Sequence, residues 1–199
     1  MYSKTYKDDK ITLYCGCEYD NKKPKLTACG YDSSNMGQAS RATRTEAEHI
    51  VPASWYGQTR ACWRTNVCPN KQNRECCYAI DYTFRVAHND LFNLAPAIGQ
   101  VNALRSNHPY AEIPGEDRNF GSCDFEFEND EAEPKSDIRG DIVRIYFYMK
   151  QTYGLTASQQ DETLLQTRSQ ADPLDATELA RNNRIKAVQG SGNPFVENH

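Results

Sequence analysis

The stretch Thr45-Glu46-Ala47-Glu48-His49-Ile50-Val51-Pro52 decides how the chain is read. It sets a carboxylate directly beside an imidazole and then runs into an apolar segment that a proline stops. A neutral histidine can take a proton from water near neutral pH. A neighbouring carboxylate supplies the hard oxygen that a divalent cation prefers. Only four histidines occur, His49, His88, His108 and the terminal His199, which is expected to be idle. Further on, Asp90-Leu91-Phe92-Asn93-Leu94-Ala95-Pro96 puts an amide inside an apolar run, where an asparagine needs a partner. Taken singly, each of these residues has an ordinary structural reading. Their joint appearance, with an arginine-rich segment between them, points to metal-assisted phosphoester chemistry.

Working outward, Ala47–Trp55 reads as a strand or extended segment ending near Pro52, and Ile11–Cys17 as a short strand. Cys29–Arg44 reads as loop and Gly57–Tyr78 as an irregular, cysteine-stapled insertion. Asn89–Leu104 carries Leu91, Leu94, Ile98, Val101 and Leu104 at helical spacing, with Pro96 kinking the helix or delaying its start. Phe125–Phe127 reads as a strand. Ile138–Tyr153 reads as a helix with Ile142, Ile145, Tyr146 and Met149 on one face. Ser158–Gln170 and Pro173–Ala187 follow as helices, the latter with Asp175 as its cap. Strands and helices mix without βαβ rhythm, which implies an α+β fold. No repeat or linker interrupts the chain, so residues 1–199 are expected to form one domain.

Composition narrows the function classes. Aromatic residues make up 11% of the chain, too many for wholesale disorder. No apolar run approaches the roughly 20 residues of a membrane span. The net charge of −4 is uneven: residues 36–75 carry +3 and residues 116–141 carry −7. An acidic whole with a basic segment leaves a nucleic-acid ligand open, because the local field governs steering. The eight cysteines, Cys15, Cys17, Cys29, Cys62, Cys68, Cys76, Cys77 and Cys123, form an even set suited to four disulfides in an oxidising compartment, the periplasm or the cell exterior. A zinc site is the rival, but the close pairs are C-x-C and C-C, neither of which makes a good knuckle. Eight cysteines allow on the order of a hundred pairings, so connectivity stays open. The sequence opens at Met1 without an apolar leader, so an exported protein would have had its signal peptide removed.

At this point a resemblance enters. Tyr14-Cys15-Gly16-Cys17, Thr27-Ala28-Cys29-Gly30-Tyr31, Ala39-Ser40-Arg41, Glu48-His49-Ile50-Val51-Pro52-Ala53, Ala61-Cys62-Trp63, Asp90 through Gly99, Arg105-Ser106-Asn107, Arg184 through Gly190 and Asn193-Pro194-Phe195-Val196 occur in order. Together they resemble the endonuclease I family of periplasmic and secreted bacterial nucleases, which carry a ββα-metal (His-Me finger) site. The resemblance implies an α+β fold with that core, several helices and disulfide staples. It implies a sequence-nonspecific, Mg2+-dependent endonuclease acting on DNA, and on RNA as well, to leave 5′-phosphates. His49 would be the general base, and Glu48 and Asn93 the metal ligands; Mn2+ or Ca2+ fit the same donors. In a regular strand Glu48 and His49 would face opposite sides, so sharing one site requires a bulge or a strand end. Arg64 is the candidate phosphate-stabilising arginine, with Arg60 as its alternative across a short loop. Arg41, Arg44, Arg60, Lys71, Arg74 and Arg105 are candidate backbone contacts. The enzyme is expected to act as a monomer without a membrane partner.

Three departures stand out. Phe92 replaces a histidine common in the family, Gln100 replaces a glutamate, and Cys76 and Cys77 stand in for a late cysteine pair. The acidic net charge, with the Phe92 and Gln100 changes, motivates an alternative, a disulfide-stabilised secreted nucleic-acid-binding or interaction protein whose site has decayed. A zinc hydrolase is a third reading.

Overall fold

A computed structural model describes residues 1–115, 118–155 and 162–198. In chain order the described elements are strands β1 (Tyr19–Asp20), β2 (Lys23–Pro24) and β3 (Thr45–His49), then helices α1 (Ala53–Gly57), α2 (Ala61–Arg64), α3 (Asn73–Ile80) and α4 (Tyr82–His88). Strand β4 (Leu94–Ile98), helix α5 (Gly99–Arg105) and strands β5 (Phe125–Glu128) and β6 (Glu131–Pro134) follow. Helices α6 (Arg139–Tyr153), α7 (Glu162–Ala171), α8 (Ala176–Gln189) and α9 (Pro194–Glu197) complete the chain. The strands pair antiparallel as β1–β2, β3–β4 and β5–β6, so the fold is α+β as expected.

The apolar run expected to be one helix over Asn89–Leu104 divides into three parts. Asp90 accepts the Phe92 N–H at 2.9 Å and caps a 3-10 turn at Leu91–Asn93. Leu94–Ile98, buried throughout, is a strand, and the helix begins only at Gly99. An unbroken apolar run satisfies either period, so spacing alone cannot choose. Pro96 tips the balance, since inside a helix it costs about 3 kcal/mol. Here its carbonyl accepts the Leu13 N–H at 2.8 Å instead. Gly99 lets α5 start tightly against the 3-10 turn at Ala39–Thr43: a Cβ there would lie 2.6 Å from the Arg41 carbonyl oxygen.

Other expectations are corrected. Ile11–Cys17 is a curled turn rather than a strand, closed by Thr12 N–H to the Cys17 carbonyl and Gly16 N–H to the Thr12 carbonyl, both 2.9 Å. It must curl because Cys15 bonds Cys123 while Cys17 bonds Cys29. The Gly57–Tyr78 segment is stapled by Cys62–Cys77 and Cys68–Cys76, yet it carries helices α2 and α3. The extended segment over Ala47–Trp55 ends at His49, and α1 starts after Pro52.

The remaining helices follow the sequence. In α6, Ile142, Ile145, Tyr146 and Met149 are buried as their spacing predicts. Asp175 caps α8 by accepting the Glu178 N–H at 2.7 Å. Residues 158–161 of the helix expected over Ser158–Gln170, and His199, lie outside the described residues. No described helix is long and apolar enough to cross a membrane.

Candidate active site

β3 and β4 pair in register from Thr45↔Ile98 to His49↔Leu94 without a bulge. Glu48 and His49 therefore meet at a strand end, where the chain leaves β3. Both line a cleft of about 540 Å³, together with Arg41, Arg74 and Asn102.

Glu48 is 2% exposed and held by one oxygen. Its Oε1 accepts the Tyr14 hydroxyl at 2.7 Å and lies 3.5 Å from Arg105 Nη1. Tyr14 in turn meets the Tyr110 hydroxyl at 2.8 Å. Oε2 has no protein donor among the described residues. Burial pushes the carboxyl up to about 7, against the pull of Arg105 and Tyr14 toward the ionised form.

His49 Nε2 donates to the His88 carbonyl at 2.9 Å, which leaves Nδ1 as the basic nitrogen. Arg74 Nη2 stands 3.5 Å from that Nδ1 and 3.4 Å from His88 Nε2. The His88 ring stacks on His49 at 4.4 Å. Burial, with the nearby cations adding to it, pushes the imidazole down to about 3, so it stays neutral.

Asn93 does not join this cleft. It is fully buried, its Oδ1 accepts the Val51 N–H at 2.7 Å, and its Nδ2 donates to the Val51 carbonyl at 2.9 Å. Both ends of the amide are spent fixing the chain just beyond His49. Asn102 occupies the cleft instead. It lies on the first turn of α5 and donates Nδ2 to Glu46 Oε2 at 2.9 Å. Its Oδ1 has no protein donor among the described residues. Glu48 Oε2 and Asn102 Oδ1 are thus two oxygen donors fit for a hard cation that keeps most of its waters.

The expected arginines separate sharply. Arg105 is fully buried and donates to the His49 and Ile50 carbonyls at 3.1 and 2.8 Å, so it cannot reach a phosphate. Arg60 is bound to both Asp81 oxygens at 3.0 and 2.8 Å. Arg64 donates Nε to the Gln58 carbonyl at 2.5 Å and does not line the cleft. Arg41 and Arg44 both pair with Glu46. Lys71 is exposed. Arg74 is the guanidinium beside His49.

Phe92 is buried against Tyr148, ring centroids 4.8 Å apart, and does not line the cleft. Gln100 accepts from Tyr31 at 3.0 Å and reaches the Ser33, Met36 and Gly37 carbonyls within 3.1 Å. A glutamate could not donate to those carbonyls. Every cysteine is in a disulfide, and no group of three or more His, Cys, Asp or Glu placed to hold a metal occurs among the described residues. The zinc reading therefore finds no donor set there.

The sequence model for endonuclease I matches residues 1–199. The chain is 38% identical to an extracellular deoxyribonuclease of Aeromonas hydrophila, over 98% of this chain and 85% of that protein. The chain belongs to the endonuclease I family. A periplasmic deoxyribonuclease of the same organism is 35% identical, over 98% of this endonuclease and 81% of its own length. An extracellular ribonuclease of Bacillus subtilis is 28% identical, over 63% of this endonuclease and 50% of its own length. Tyr14, Tyr110, His88 and Asn102 are the site residues that sequence reasoning missed. Tyr14 and Asn102 sat within or beside quoted blocks, but their facing depends on tertiary structure.

Proposed function

We propose that this endonuclease hydrolyses phosphodiester bonds of DNA and RNA without sequence preference, using a ββα-metal site built from β3, β4 and α5. His49 is the general base, and Glu48 and Asn102 hold one Mg2+. We read residues 1–199 as one nuclease domain that works in the periplasm or outside the cell. The four disulfides and the relatives named as extracellular or periplasmic support that location. The relatives named as deoxyribonuclease and ribonuclease support both substrates.

The carrying observation is the His49 geometry. Its Nε2–H is fixed on the His88 carbonyl, so Nδ1 faces a cleft shared with the available oxygens of Glu48 and Asn102. Nδ1 removes the proton from the attacking water, and the His88 carbonyl holds the ring as it becomes charged. Arg74 binds a phosphate oxygen and positions the phosphorus in line. Glu48 and Asn102 would hold the divalent cation, which when bound would supply positive charge to offset that developing on the phosphate and the leaving 3′ oxygen. Breaking the P–O3′ bond leaves a 5′-phosphate. Contacts to phosphate rather than base edges give no sequence preference.

The decayed-site alternative drew on Phe92 and Gln100. Both lie outside the cleft lining, so neither change falls on the residues that carry the proposed chemistry. The test is plasmid nicking by His49→Ala in Mg2+. The rate is expected to fall by at least about a hundredfold with little change in melting temperature. Cutting at near wild-type rate would overturn the assignment.

A further inference from the structure

The His88 ring that stacks on His49 does not itself line the cleft. The Tyr78 ring meets His88 edge-on at 5.1 Å, so ring contacts run from His49 through His88 to Tyr78. Tyr78 is 41% exposed, and Tyr82, on the next helix, is 72% exposed. Arg85 joins the two. Its Nη1 donates to the Tyr78 carbonyl at 2.9 Å, and its guanidinium lies 5.8 Å from the centre of the Tyr82 ring. The Cys62–Cys77 and Cys68–Cys76 bridges anchor α3, so its Tyr78 is presented from a fixed scaffold.

Two exposed aromatic rings near an arginine, one of them joined through His88 to the cleft residue His49, have a specific physical meaning. Every nucleobase has a face that stacks on an aromatic ring, and a nearby cation tracks the backbone. Bases within a duplex have those faces already covered. We propose that Tyr78 and Tyr82, with Arg85 nearby, form a stacking platform for unpaired bases of a strand leaving the cleft, favouring single-stranded over duplex nucleic acid. The inference rests on the nuclease reading above and adds a substrate preference to it.

The test compares kcat/KM on a short labelled oligonucleotide with kcat/KM on the same strand annealed to its complement. Wild type, Tyr78→Ala/Tyr82→Ala and Tyr82→Trp are each measured in Mg2+. Binding of the single strand in EDTA is followed by anisotropy. The double alanine variant is expected to lower the single-strand to duplex ratio about tenfold and to weaken single-strand binding in EDTA by a similar factor. Tyr82→Trp is expected to keep the ratio, with its indole fluorescence quenched by the bound strand. An unchanged ratio, or an equal loss on both substrates, would overturn the platform while leaving the nuclease reading intact. If wild type cuts neither substrate, the nuclease reading falls and the platform with it.

Discussion

Among the described residues, Arg144 and Arg105 are two buried arginines that hold carboxylates, and they do so in opposite ways. Arg144, 2% exposed, closes on Glu178, with Nε 2.8 Å from each oxygen, and also meets Asp141 at 2.9 Å. Arg105, fully buried, spends its donors on the His49 and Ile50 carbonyls and stays 3.5 Å from Glu48. The first arrangement fastens α6 to α8 and leaves little for a ligand. The second fixes the backbone around Glu48 and His49 but leaves one carboxylate oxygen uncommitted. A buried ion pair that is incompletely closed marks chemistry, while a closed one marks architecture.

Breaking each arginine should separate these roles. Removing one partner of a buried pair typically costs about 3–5 kcal/mol. Arg144→Met should lose stability on that scale in urea unfolding, while the cleavage rate per folded molecule stays near wild type. Arg105→Met should lose stability on the same scale and cleavage as well, because the strand end and Glu48 shift together. Equal activity per folded molecule in both variants would erase the distinction.

The two asparagines sharpen the same contrast. Asn93→Ala strands the Val51 N–H and carbonyl, at a cost of about 1–3 kcal/mol for each buried group left unpaired. It should show up in melting temperature, with Mg2+ affinity of the folded fraction kept. Asn102→Ala should weaken Mg2+ binding at least several-fold in calorimetry, with a smaller effect on stability.

The smallest effect concerns Asp141. Burial, with Glu178 adjacent, raises its carboxyl well above the ordinary range, despite the opposing Arg144 and with Asp172 adding to the rise. A raised carboxyl contributes stability below its unfolded value, and that contribution is lost as pH rises through the folded value. Asp141→Asn should therefore narrow its stability deficit, or gain on wild type, between pH 4 and pH 8, approximately the window set by those two values. A deficit that widens with pH would contradict the sign.

The asparagine exchange also shows what the sequence could and could not convey. The adjacency of Glu48 and His49 is written in the chain, and α6 was legible because its apolar face is interrupted by polar residues. The division of Asn89–Leu104 was not legible, since a continuous apolar run fits strand and helix alike. Misplacing that boundary put Asn93 on an imagined helix and hid Asn102, whose facing depends on α5 starting at Gly99. Arg105 looked like a surface cation because charge in a sequence carries no sign of burial. The tyrosines of the platform were invisible for the same reason: exposure is a property of the fold.

The central claim is that Glu48 and Asn102, beside His49, hold the cation that the reaction uses. Anomalous scattering from a crystal soaked in Mn2+ tests it directly. The account predicts one ion contacting Glu48 Oε2 and Asn102 Oδ1, within reach of a water on His49 Nδ1. An ion bound through Asn93, or a site that leaves Glu48 and Asn102 untouched, would contradict it.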